Sequence, residues 1–311
     1  MRRAERSIRE MARVLSRSPS SISRELRRNR LTVHAGYLDH HAQERADRRR
    51  SNASRRMRLK NDEIREYVAS KLKEDSSPEQ IAGRIKIDHP GLSISHEAIY
   101  QYVYHHSIPN RQELISCLRR SHRRRKRKGA APDKHKLKIT GRIGIEQRPR
   151  EVETRARFGD WEADTLISRR SKAAVLSMVE RRSRLVQLER LEAKTSILTS
   201  QAIISRLLCF PRDSRHTITF DNGTENAGHE EVSQSTGISC FFCEPYSSWQ
   251  RGTNEHTNGL VRQYLPKKTD FAIISSEMIR FIESRLNNRP RKCLGFKTPL
   301  EVANLSVALQ R

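Results

Sequence analysis

The chain is 311 residues long and carries 62 Lys and Arg against 36 Asp and Glu, a formal charge of +26. No run approaches the ~18 consecutive apolar residues that a membrane span needs, and no apolar stretch opens the chain as an export signal would. Five scattered cysteines are too few for a disulfide framework, so a reducing cytoplasm is the expected compartment.

The charge is unevenly spread. Residues 1–150 hold 38 basic and 17 acidic groups, whereas residues 151–311 hold 24 and 19. A strongly basic half joined to a nearly balanced one predicts a polyanion-binding part and a globular part with separate work.

From Ser7, the positions Ile8, Met11, Ala12 and Leu15 recur at helical spacing. Ser18 followed by Pro19 is a cap with a first-turn proline, which starts a second helix with Ile22 and Leu26 inward. Two short helices across a tight turn predict a helix-turn-helix. Ser20, Ser21, Arg24 and Arg27 would then face phosphates and base edges; a helical hairpin with a solvated basic face is the plainer reading. This region is assigned residues 1–58.

A second helical group covers residues 59–118. A helix is predicted over Asn61 to Lys73, with Ile64, Val68 and Leu72 on one stripe. Ser77-Pro78-Glu79-Gln80 is a capping box that opens another, and Ser95 caps a third containing Ile99, Tyr102 and Val103. DNA contact and a plain three-helix bundle both fit this pattern. Residues 119–150 read as a basic linker. Within it, Arg119 to Lys128 has eight basic residues in ten, including Arg123, Arg124 and Arg125, which would contact phosphates without reading sequence.

From Phe158 the periodicity shortens. Strands are predicted at 159–167, 173–180 and 185–191, a helix over Thr195 to Cys209, and a strand at 216–223. A short helix at about 228–235, a strand at 238–244 and a helix from about Thr253 to Tyr264 follow. Three strands, helix, strand, helix, strand, helix is the element order of the ribonuclease H-like fold. The predicted class is therefore α+β and multidomain: helical DNA-binding regions, then a mixed-sheet catalytic domain over residues 151–311.

That order places three carboxylates at matching ends of elements: Asp164 on the first strand, Asp221 at the end of the fourth, and Glu255 in the first turn of the last helix. Hard divalent cations take carboxylate oxygens, and two ions about 3.5–4 Å apart activate water and stabilise a leaving oxygen. Spacing alone leaves the choice open. Asp160, Glu162 and Asp164 alternate along one strand face, so either of the first two could serve instead. Cys240 and Cys243 resemble half a zinc site, but no second pair accompanies them, and core thiols are the simpler account.

The segments WEAD (161–164), TFDNGTE (219–225), PYSSWQRGTNEHTNGLVRQYLP (245–266) and NNRPRKCLGFKTPLEV (287–302) resemble the DDE transposases of the bacterial insertion sequence thirty family, related to retroviral integrases. The resemblance runs over nearly the whole chain. It implies that Asp164, Asp221 and Glu255 are the catalytic acids and hold two Mg²⁺ or Mn²⁺ ions per site. It also implies cleavage at element ends to free a 3′-hydroxyl, strand transfer into target DNA, double-stranded DNA as partner, and self-association on that DNA. Arg251, Asn254, Asn258 and Arg262 are expected to position DNA beside the acids, with Trp249 and Gln250 in the loop before them. His256 stands where the family commonly has Asn, and only seven residues precede Ile8, so a start shortened by one helix is one reading of the first region. A bacterial cytoplasmic protein acting at the nucleoid is the expectation. A catalytically silent DNA-binding protein or repressor is the rival from another class, and a metal nuclease that cuts without joining is the third.

Overall fold

A computed structural model describes residues 6–29, 37–54, 59, 61–105, 108–118, 139–245 and 247–308. The chain divides into two units, residues 1–58 and 59–311. Arg123, Arg124 and Arg125, expected to touch phosphates, lie outside the described residues. Among the described residues, no helix is long and apolar enough to cross a membrane.

In the first unit, α1 (Ile8–Val14) is capped by Ser7, whose side chain accepts the Glu10 N–H, and it buries Met11 and Ala12. Ser16 turns the chain at φ 52°, and α2 (Pro19–Asn29) follows, with Ser18 Oγ accepting the Ser21 N–H at 3.2 Å. Helix α3 (Asp39–Ser54) packs near α2. Arg49 donates to Asn29 Oδ1 at 3.2 Å, while Asn29 Nδ2 donates to Glu25 at 2.6 Å. A polar clamp thus does what a large apolar core cannot in so small a unit.

The second unit opens with α4 (Asp62–Lys73), α5 (Pro78–Asp88), α6 (His96–Val103) and α7 (Arg111–Ser116). The second and third begin at their expected caps, the Ser77–Gln80 capping box and Ser95, and Asn61, expected as the first helical residue of α4, caps it instead. Their apolar stripes meet in a core of Leu59, Val68, Leu72, Ile81, Ile99 and Val103.

This helical group shares one unit with the sheet because its polar face is spent on the C-terminal segment. Gln80 donates to the Pro290 carbonyl at 2.7 Å and accepts from Arg289 at 2.9 Å. Arg84 grips both oxygens of Glu301, at 2.7 and 2.6 Å. A Cβ at Gly83 would lie 2.4 Å from the Phe296 ring, so only glycine lets that ring seat on α5.

The Arg84 hydrogen bonds hold the Glu301 carboxyl well below its ordinary 4.5, at about 2. A depressed folded-state pKa stabilises the fold fully above the ordinary value and loses that contribution as pH falls through about 2. Glu301→Gln is therefore expected to flatten the acid limb of the stability curve between those two values, measured by urea unfolding. A partly exposed carboxylate keeps the effect modest.

The sheet contains β1 (Asp160–Ile167), β2 (Ala174–Glu180), β3 (Val186–Leu191), β4 (Thr217–Phe220) and β5 (Ser239–Phe242), in the order β3-β2-β1-β4-β5. β1 pairs antiparallel with β2, which pairs antiparallel with β3; β4 runs parallel to β1 and to β5. This is the ribonuclease H-like arrangement. Pleating sends Trp161 and Ala163 into one core, with Ile203 and Leu207 of α9 (Ser196–Leu208) and Val232 of α10 (His229–Thr236). The alternate residues face a second core built from α11 (Gly252–Tyr264) and α12 (Ser276–Asn287), including Leu260, Val261, Ile282 and Leu286. A short α8 (Glu151–Thr154) precedes β1, and α13 (Pro299–Ala308) ends the described chain.

Strand β4 stops at Phe220, three residues short of the expected end. Asp221 leaves the ladder because its carboxylate accepts the Gly223 N–H at 3.0 Å and Asn226 Nδ2 at 2.9 Å. Such local bonds offer the backbone an alternative to strand pairing.

Candidate active site

Alternation along β1 puts Asp160, Glu162 and Asp164 on the face covered by α11, and burial separates them. Asp160 is sealed under Arg157, whose Nε donates at 2.9 Å, and under Thr217, whose hydroxyl donates at 2.7 Å. Glu162 accepts from Arg181 at 2.9 Å and from the Asn254 N–H at 2.9 Å. Their side chains are 2% and 1% exposed, whereas that of Asp164 is 27% exposed. Only Asp164 of the row is open to a substrate.

Parallel pairing of β4 with β1 brings Asp221, just beyond β4, beside Asp164. The two carboxylates converge on one guanidinium. Arg251 Nη1 lies 3.4 Å from Asp164 Oδ1, and Nη2 lies 3.6 Å from Asp221 Oδ2. Arg251 Nη1 also donates to the Ala163 carbonyl at 2.7 Å. Burial pulls the Arg251 pKa down, but the carboxylates of Asp164 and Asp221 outweigh it, and the pKa is raised. Asp164 Oδ2 further accepts Asn258 Nδ2 at 2.6 Å.

Glu255 lies in the first turn of α11, exposed to solvent, with no hydrogen bond or ion pair to a described residue. Among the described residues, no three His, Cys, Asp or Glu side chains cluster closely enough to hold a metal. The geometry thus joins Asp164 and Asp221 through Arg251 and does not bring Glu255, on α11, into a cluster with them. Glu255 is three residues before Asn258, a spacing that puts Cβ atoms about 5–6 Å apart on one helix surface, and Asn258 touches Asp164.

The other expected DNA contacts divide. Ser20, Ser21, Arg24 and Arg27 are exposed on α2, with Ile22 and Leu26 half-buried beneath them. Asn254 is corrected: it is 1% exposed, and its amide donates to the Ser177 carbonyl at 3.2 Å. It ties α11 to β2 and does not reach solvent. Arg262 is half-buried. It donates to the carbonyls of Ile167 and Leu265 and stacks on Phe271 at 5.4 Å, so it fastens the end of α11 to the end of β1. Trp249 is 72% exposed before α11. Cys240 and Cys243 are buried on and just after β5, and burial pushes their thiols up to about 12 and about 11, so both are protonated core groups.

Sequence reasoning missed Asn226, which orients Asp221, and a group of arginines before and after β1. The Asp221-Asn222-Gly223 run favours the local side-chain turn that Asp221 makes, and Asn226 lies just beyond the TFDNGTE segment.

A helix-turn-helix domain family matches residues 1–29. The transposase InsI of insertion sequence element IS30A from Escherichia coli strain K12 is 40% identical over 315 residues, covering 98% of this chain and 81% of that protein. The transposase of element IS4351 from Bacteroides fragilis is 39% identical over 91% of this chain and 85% of its own. The transposase of element IS1086 from Cupriavidus metallidurans is 39% identical over 95% and 88%. Among solved structures, the catalytic core domain of BIV integrase is 19% identical, with a TM-score of 0.39, over 49% of this chain and 97% of that one. The chain belongs to the insertion sequence thirty family of transposases.

Proposed function

We propose that this transposase binds the terminal repeats of its element and catalyses metal-dependent 3′-end cleavage and strand transfer. The observation that carries the reading is the convergence of Asp164 and Asp221 on a single cationic group where β4 ends beside β1. Paired carboxylate oxygens with charge to share are the donor set that Mg²⁺ or Mn²⁺ takes. Asp164, Asp221 and Glu255 would hold the ions. Two such ions, when bound, activate water and stabilise the leaving 3′-oxygen of an in-line displacement.

The chain's own groups prepare that site. Asn258 fixes the rotamer of Asp164, while Asn226 and the Gly223 N–H fix that of Asp221. Carboxylates held in this way are preorganised rather than recruited at the moment of reaction. Arg251 neutralises both until a substrate and its counterions arrive, and then its charge is free to meet a phosphate. On α2, the exposed Ser20, Ser21, Arg24 and Arg27 supply contacts to the element's ends. The freed 3′-hydroxyl attacks a target phosphodiester directly, with no covalent protein intermediate. Holding two ends at once requires more than one copy of the chain, in the bacterial cytoplasm where the DNA lies.

The test is incubation of the full chain with Mg²⁺ and a labelled duplex carrying the element's terminal sequence. A nick at the element boundary followed by joined product is expected. Nicking without joining would identify a nuclease instead, and bound but uncut DNA a repressor-like binding protein.

A further inference from the structure

Next to the active site, a cavity of about 360 Å³ is lined by Arg148, Arg155, Arg181, Glu153, Glu162 and Trp249. Gln250 and Gly252, on either side of Arg251, complete one wall. Its two carboxylates are already used. Glu162 accepts from Arg181 and the Asn254 N–H, and Glu153 accepts from Arg148 and from Arg181 at 3.2 Å.

Arg155 is left without a carboxylate within ion-pair distance among the described residues. It donates to Thr253 Oγ1 at 3.4 Å, and Arg184 donates to the same oxygen at 2.8 Å. Arg184 likewise has no carboxylate partner there. Two guanidinium groups therefore share one neutral hydroxyl. Thr253 is the second residue of the 13-residue α11, where unpaired backbone N–H groups already carry partial positive charge. The nearby Glu162 and Glu153 act on Arg155 only through space, their hydrogen bonds being spent on other groups.

Three further observations mark this as a built feature. Burial first, then the neighbouring Arg184 and Arg181, lower the Arg155 pKa, and Glu162 and Glu153 offset this only in part. Arg155 and Arg184 both adopt left-handed backbone conformations, at φ 54° and 65°. That costs about 1–2 kcal/mol per residue for a side-chain-bearing residue, and such outliers gather where a ligand is held. Arg181 Nε is buried with no acceptor.

We propose that Arg155, Arg184 and Thr253 form a subsite for a backbone phosphate of the DNA strand entering the active site, with Trp249 stacking on an adjacent base. A phosphodiester supplies the missing negative charge and accepts from both guanidinium forks. Trp249 offers a sequence-tolerant platform at the cavity wall. The subsite gives an acidic partner to two arginines that have no protein carboxylate within ion-pair distance among the described residues. It rests on DNA being the substrate.

The experiment is binding of the full chain to a fluorescent DNA duplex, without divalent ions, over a range of KCl concentrations. Arg155→Gln and Arg184→Gln are each expected to make the log–log salt slope shallower by about one, the loss of one phosphate contact. Arg155→Lys should restore most of it. Arg280→Gln, on the exposed face of α12, should leave the slope as in the wild type. Slopes unchanged in both glutamine variants, or changed equally in Arg280→Gln, would overturn the subsite. The measurement requires no chemistry, so the two readings fail separately. Joined product with unchanged slopes removes the subsite and keeps the transposase reaction; shallower slopes with no cleavage do the opposite.

Discussion

Asp164→Asn and Asp221→Asn are each expected to lower strand transfer by about 10³-fold or more, the scale on which removal of one preorganised electrostatic group is felt. DNA binding should change little. Both side chains sit at the surface, at 27% and 33% exposure, and the amide is nearly isosteric with the carboxylate. In either variant Arg251 keeps one of its two carboxylates, so the fold should persist. What changes is charge: one of two carboxylates converging on Arg251 becomes neutral, and a neutral amide is a poor ligand for a hard divalent ion. The proposed duplex contacts, on α2 and at the Arg155–Arg184 subsite, are touched by neither substitution. Gel-shift and strand-transfer assays on the same preparations separate the two properties. Joined product at near wild-type yield from either variant would remove that residue from the catalytic set.

Glu162→Gln, two residues away on the same strand face, is expected to give the opposite pattern. Its carboxylate is 1% exposed and is held by Arg181, itself only 4% exposed. Removing one partner of a buried pair strands the other, at a cost of about 3–5 kcal/mol. Urea unfolding should show that loss in Glu162→Gln, whereas Asp164→Asn, at a carboxylate partly open to solvent, should lose clearly less. A Glu162→Gln protein as stable as the wild type but inactive in strand transfer would mean that the wrong acid of the row has been assigned. The comparison turns an ambiguity of alternating residues into a measurable difference.

That ambiguity shows where the sequence is informative. Caps and stripes are local, so Asn61, Ser77 with Gln80, and Ser95 announced α4, α5 and α6 almost to the residue. Short runs bounded by turn residues placed all five strands. Helix α3 escaped because Asp39–Ser54 is polar nearly throughout and buries little beyond Ala42. The seating of α5 on the C-terminal segment was invisible, since Arg84 and Glu301 are 217 residues apart and nothing local marks them as partners. Element order was enough to bring Asp164 and Asp221 to one place. It could not distinguish Asp164 from Asp160 and Glu162, because burial of those two depends on Arg157 and Arg181 folding over them. Asn254 and Asn258 share a helix face by spacing, yet one turn of α11 carries that face from the buried β2 contact to the open site. Helical periodicity has no means of recording that transition.

Glu255 is the residue on which the proposed chemistry depends most. Strand transfer by the full chain and by Glu255→Gln, on one labelled element-end duplex with Mg²⁺, tests it directly. The account expects joined product from the wild type and none from the variant, with equal duplex binding by both. Joined product from Glu255→Gln would contradict it and leave Asp164 and Asp221 without the assigned third acid.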